Sequence, residues 1–160
     1  MRCMHDRAAA RSHLLRIGRY SERNYMYVTT AVTHKRKPIL RELKVGRILV
    51  NSLRFQHSEQ RAFTLAYVVM PDHFHWLLQL GASKSLAEVM HSVKSYSSNQ
   101  IGQVTGNQAQ RVWQAGFHDH AIRRDETLVN VARYIVDDPL RAGLVHDLGD
   151  FPFRDTLWTV

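Results

Sequence analysis

The 160-residue chain has one cysteine, Cys3, which excludes an internal disulfide and any cysteine-built zinc site and fits a reducing cytoplasm. No apolar run approaches the length of a membrane span. The first 24 residues carry six arginines and no sustained apolar segment, so they make a poor signal peptide and are read as a basic arm over 1–17 preceding one domain over 18–160. No internal repeat or low-complexity segment is present. Acidic residues are also scarce: 14 against 22 lysines and arginines leave a net charge of +8. An excess of that size points to a polyanionic partner, nucleic acid first. The apolar fraction of 44% indicates a folded protein, and the length suits one domain with a real core.

Hydrophobic patterning gives a coarse order of elements. YMYVTTAVTH (25–34) is β-branched and aromatic and reads as a first strand, ended by the basic turn KRKP (35–38). Residues 41–57 suit a helix with Leu43, Ile48 and Leu49 facing inward, although Gly46 is a poor helix former. A second strand covers 63–69, Met70-Pro71-Asp72 makes a turn, and a third strand runs to Leu80. A long helix starts near Ser85 and continues to 103, followed by a polar loop containing Gly102 and Gly106. A strand is expected within 112–124, then a helix over 125–138 with Asp125 as N-cap and Pro139 as the stop. The order β-α-β-β-α-β plus a last helix predicts an α+β, ferredoxin-like antiparallel sheet with helices on one face and an additional C-terminal helix. That fold does not by itself specify a function.

The chemistry begins in the third strand, HFHWLLQL (73–80). Strands alternate faces with period two, so Phe74, Trp76, Leu78 and Leu80 form an uninterrupted core surface while His73 and His75 share the opposite face. Two imidazoles side by side lack a third ligand. On the last helix Leu128, Val131, Ala132 and Ile135 form the apolar stripe; Tyr134 lies off it, and Asp138 follows Tyr134 by one turn. Asp138 would complete a three-ligand site with His73 and His75, and two imidazoles plus an oxygen donor suit Mg²⁺ or Mn²⁺ better than a closed structural zinc site. A metal there would polarise a phosphate, and Tyr134 would be placed to attack it. Proline after Asp138 disfavours helical geometry at that residue and leaves its direction open.

The segments PDHFHWLL (71–78), VWQAGFHDHAIRRDETL (112–128), ARYIVDDPLRAGLV (132–145) and DFPFRD (150–155) resemble the REP-associated tyrosine transposases, a group of the single-tyrosine HUH transposases. GRYS (18–21) and YVTTAVT (27–33) resemble that family's opening, so the likeness runs in order over most of the chain. It implies that His73 and His75 are the metal pair, that Tyr134 is the nucleophile, and that Asp138 stands where an amide is usual. It also implies metal-dependent cutting and rejoining of single-stranded DNA at repetitive palindromic hairpin elements, through a 5′-phosphotyrosine, by a bacterial cytoplasmic protein acting at the nucleoid as a monomer or homodimer. A non-catalytic binder of structured nucleic acid and a water-using metal phosphodiesterase are the competing readings.

Two features compete for the same roles. His118 and His120 form a second H-x-H, of which His120 is a candidate substrate contact and His118 a structural or surface residue. Tyr96 and Gln100 are a tyrosine and an amide one helical turn apart; Tyr96 borders the Leu86–Val93 stripe, where packing would account for it. Candidate phosphate contacts are Arg19 in the basic N-terminal stretch, Lys94, and Arg123, Arg124, Arg133 and Arg141 near the expected site.

Overall fold

The computed structural model describes residues 24–123 and 127–157. The expected basic arm, Arg19, Arg124 and Asp125 lie outside the described residues. Five strands form one antiparallel sheet: β1 (Met26–Val32), β2 (Ala62–Val69), β3 (His73–Leu80), β4 (His118–Ala121) and β5 (Arg154–Thr156), in the spatial order β4-β1-β3-β2-β5. The first four strands take the ferredoxin-like order. The short β5, not expected from patterning, adds to the free edge of β2, pairing Tyr67 with Asp155.

The alternation in β3 divides the molecule into two cores. Phe74, Trp76, Leu78 and Leu80 are buried with Val45, Leu49 and Leu53 of α1 (Leu43–Ser58) and Val89, Met90 and Val93 of α2 (Leu86–Thr105). On the opposite face, Leu77, Ala66 and Val68 are buried against Ala132, Ile135 and Val136 of α3 (Leu128–Val136). The two sheet-packing helices thus cover one face and the C-terminal helix the other. Trp76 is fully buried and donates its indole N–H to Thr64 Oγ1 at 3.0 Å. Trp76→Ala is expected to cost about 3–5 kcal/mol, from lost burial and the cavity left behind; urea unfolding followed by circular dichroism would measure it, and a loss below ~1 kcal/mol would contradict this packing.

Local chemistry explains several boundaries. Ser85 Oγ accepts from Glu88 N while Glu88 accepts from Ser85 N, a reciprocal cap at the start of α2. Gly106 ends that helix in the left-handed region at φ 69°. Gly102 belongs to the helix rather than to the following loop, and it is buried because the chain at Gln108 returns against it. Gly46 also has a packing reason: a Cβ there would collide with the Phe153 ring that closes over α1. Leu43 is exposed rather than inward, because it opens α1 before the helix meets the sheet.

The end of the chain departs furthest from the expected pattern. The residue flanking α3 is Thr127, which makes no side-chain cap bond. Helix α3 ends at Val136, and Pro139 then lies inside a further turn, α4 (Asp138–Arg141). A proline lacks the N–H that would continue the ladder but fits the first turn of a helix, so the chain breaks at Asp137 and restarts. No helix among the described residues is long and apolar enough to cross a membrane.

Candidate active site

His73 and His75 project from the face of β3 that α3 covers in part, with ring centroids 4.9 Å apart. The break before Pro139 carries Asp138 to the same place, its Oδ2 3.5 Å from His73 Nε2 and 3.6 Å from His75 Nε2. Among the described residues, these are the only three His, Cys, Asp or Glu side chains whose ligand atoms gather within 4.8 Å of one another.

Both imidazoles are oriented from behind. His73 Nδ1 lies 2.6 Å from Asp72 Oδ1, and His75 Nδ1 lies 2.7 Å from Thr30 Oγ1 on the neighbouring strand. A carboxylate only accepts, so a neutral His73 carries its proton on Nδ1 and turns the Nε2 lone pair toward Asp138. Burial and the neighbouring His73 push the His75 imidazole down to about 4, with Asp138 opposing and Arg141 adding to the effect, so His75 is neutral at pH 7. Burial alone would raise Asp72, but hydrogen bonds and charge from His73 and Arg36 hold its carboxyl below the usual range. The cluster thus gathers two imidazole ring nitrogens and a carboxylate oxygen around one point, a donor set that suits a divalent cation. Outer partners such as Asp72 and Thr30, which hold the rings in orientation, are a regular part of metal sites.

Tyr134 on α3 is 67% exposed and lines the same cavity as His75. Arg141 organises the end of this helix. Its guanidinium donates to the Tyr134 carbonyl at 2.6 Å and to Asp138 Oδ1 at 2.9 Å, and its carbon lies 3.8 Å from the centre of the Tyr134 ring. This side chain is therefore engaged within the site.

The other candidates separate. Lys94 donates to the carbonyls of Gln114 and Gly116 at 2.7 and 2.5 Å, tethering the chain before β4 from the helix on the far face of the sheet. Tyr96 is half exposed on that same helix, so core packing does not account for it, and the sheet separates it from the histidine pair. His118 and His120 are exposed on β4, opposite Thr30 and Val28 of β1; His120 lines the cavity beside Tyr134, whereas His118 does not. Arg123 and Arg133 are exposed. Residue patterning missed Asp72 and Thr30. Asp72 precedes His73 directly and was legible only as a turn residue; Thr30 is 45 residues from its imidazole, and only strand register pairs them.

Comparison with known proteins places the chain in a family. A Haemophilus influenzae protein carrying the provisional name of REP-associated tyrosine transposase is 30% identical over 99 residues, 56% of each chain. The Escherichia coli REP-associated tyrosine transposase is 29% identical over 90 residues, 55% of this chain and 50% of the relative. The chain thus matches about half the length of these curated relatives. The solved REP-associated tyrosine transposase bound to a REP hairpin superposes with a TM-score of 0.68 at 22% identity, covering 85% of this chain and 79% of that one, which supports the fold. Residues 21–138 match the family model of IS200-like transposases, nearly three quarters of the sequence, and the chain belongs to that family.

Proposed function

We propose that this protein cuts and rejoins single-stranded DNA at hairpin-forming repetitive palindromic elements, by transesterification at Tyr134. The observation that carries it is the meeting of three potential ligand groups, His73, His75 and Asp138, with both Nε2 atoms beside Asp138 Oδ2, in a site whose cavity also takes Tyr134. A relative of the same fold holds a REP hairpin, and the net charge of +8 suits such a polyanion.

His73, His75 and Asp138 would hold a divalent ion, Mg²⁺ or Mn²⁺, which when bound polarises a phosphate and stabilises the charge that builds on it. Asp72 and Thr30 keep the imidazoles turned inward, and Arg141 holds Tyr134 and Asp138 in fixed relation across the helix break. The Tyr134 phenolic oxygen attacks phosphorus, losing its proton to solvent. The P–O3′ bond breaks, and the departing oxygen takes up a proton to become a 3′-hydroxyl. A 5′-phosphotyrosine remains, and a second 3′-hydroxyl reverses or redirects the join by attacking it. Because His75 and Tyr134 of one chain line one cavity, a single chain would suffice.

The test is a denaturing gel of the protein with 5′- and 3′-labelled hairpin DNA, with Mn²⁺ and with chelator. A metal-dependent protein–DNA adduct supports the proposal. Cleavage without adduct would mean a water-using phosphodiesterase, and tight binding with neither product a non-catalytic binder. Arg141→Gln is expected to slow adduct formation about 10–100-fold, the range for groups that orient a metal site. The same variant should bind Mn²⁺ more weakly; unchanged rate and metal binding would remove Arg141 from this role.

A further inference from the structure

Helix α3 packs chiefly on β2 and β3, leaving the β1 and β4 part of that sheet face outside its main contact. Beside the helix an open cavity of about 570 Å³ begins at His75 and Tyr134. Val28 and Thr30 of β1 line it from the sheet and Val131 and Ile135 from the helix, and Asn130 of α3 and His120 of β4 line it as well. The volume lies within the range of small-ligand sites, about 300–1,000 Å³. A lining that combines the aliphatic Val28, Val131 and Ile135 with the polar Thr30, Asn130 and His120 matches a ring that is apolar on its faces and hydrogen-bonding on its rim.

We infer that this cavity is a nucleobase subsite, taking one unpaired base of the strand whose phosphate meets Tyr134, with Asn130 reading its edge. This rests on the reading of Tyr134 and the His73–His75–Asp138 cluster as a DNA-phosphate site, and it adds a base-selecting element to it. A phosphodiester held at one end of the cavity has its own base a single sugar away, so the strand reaches the apolar wall without a long excursion. Unpaired bases present their faces for such contacts. The Asn130 carboxamide carries a donor and an acceptor side by side, the pattern that pairs with two atoms of a base edge. Asn130 is exposed on α3, one turn before Tyr134, so the selecting group and the nucleophile ride on the same helix. His120, an aromatic ring, lines the same cavity.

The test is titration of the full chain, without added metal, by each of the four deoxynucleoside 5′-monophosphates and by 2-deoxyribose 5-phosphate. The probes are the methyl resonances of Val28, Val131 and Ile135 and the side-chain amide of Asn130. Nucleotides are expected to shift these signals saturably, with affinities that differ between bases by about fivefold or more, the low end for a paired base edge. The sugar phosphate should leave Val131 and Ile135 unmoved. Asn130→Ala, and Asn130→Asp as a second variant, should narrow or reorder the spread between bases while the methyl shifts persist. The inference is overturned by equal shifts from the sugar phosphate, by no base preference, by shifts confined to the α1/α2 face, or by no saturable shift. The adduct assay separates the two ideas. Base-dependent shifts without any adduct would leave a base-binding cavity and remove the transesterification; an adduct without base discrimination would remove only the subsite.

Discussion

Replacing Tyr134 by phenylalanine is expected to abolish the covalent DNA adduct and to lower cleavage by at least about a thousandfold, as loss of an attacking group does in other covalent enzymes. The phenolic oxygen is the atom that bonds to phosphorus, and phenylalanine has nothing to put there. The structure makes this a clean experiment. Tyr134 is 67% exposed, so removing its hydroxyl disturbs no core, and the ring remains under the Arg141 guanidinium. Tyr96→Phe is the matching control, because Tyr96 is a similarly exposed tyrosine on a helix of the opposite face. It should form adduct at the rate of the parent protein. An adduct that survives in Tyr134→Phe and disappears in Tyr96→Phe would reverse the assignment. Loss in both would mean that neither change reports on the nucleophile alone.

His75→Ala is expected to weaken Mn²⁺ binding by well over about 100-fold, measured by titration calorimetry or by the electron paramagnetic resonance of free Mn²⁺. The magnitude follows by comparison: groups that only orient ligands are worth about 10–100-fold, and a ligand itself should exceed them. His75 suits the measurement because burial holds it neutral at pH 7, so its lone pair is available without competition from a proton. Thr30→Val keeps nearly the same shape but removes the hydroxyl 2.7 Å from His75 Nδ1, and its effect should fall within the 10–100-fold range. Asp138→Asn retains an oxygen donor while losing the charge and weakening the pairing with Arg141, so it should weaken binding less than His75→Ala does. That ordering is the diagnostic. Equal metal affinity in His75→Ala and parent protein would mean that His73, His75 and Asp138 do not form the site, and Thr30→Val without effect would reduce the Thr30 contact to packing.

Much of this could be read along the chain because it depends on neighbours in sequence. The period of two puts His73 and His75 on one face whatever the strand pairs with, and the apolar set Phe74, Trp76, Leu78 and Leu80 says which face is buried deepest. The reciprocal Ser85–Glu88 cap is likewise local. A helical wheel places Asp138 near Tyr134, though the chain reaches that position by breaking at Asp137 rather than by continuing one helix. Other features depend on which strand lies beside which, and at what offset. Thr30 backs His75 only in the β1–β3 register; a slip of one residue would turn its hydroxyl to the other face. Tyr96 and Tyr134 are both exposed tyrosines on helices, and the sheet between them separates one from the histidines. Lys94 and Arg141 look alike as cations in a basic sequence, yet one tethers a loop and the other clasps Asp138 and Tyr134. Local periodicity assigns a residue to a face, whereas the partner across that face comes from chain segments tens of residues away, brought together only when the sheet closes its ladder.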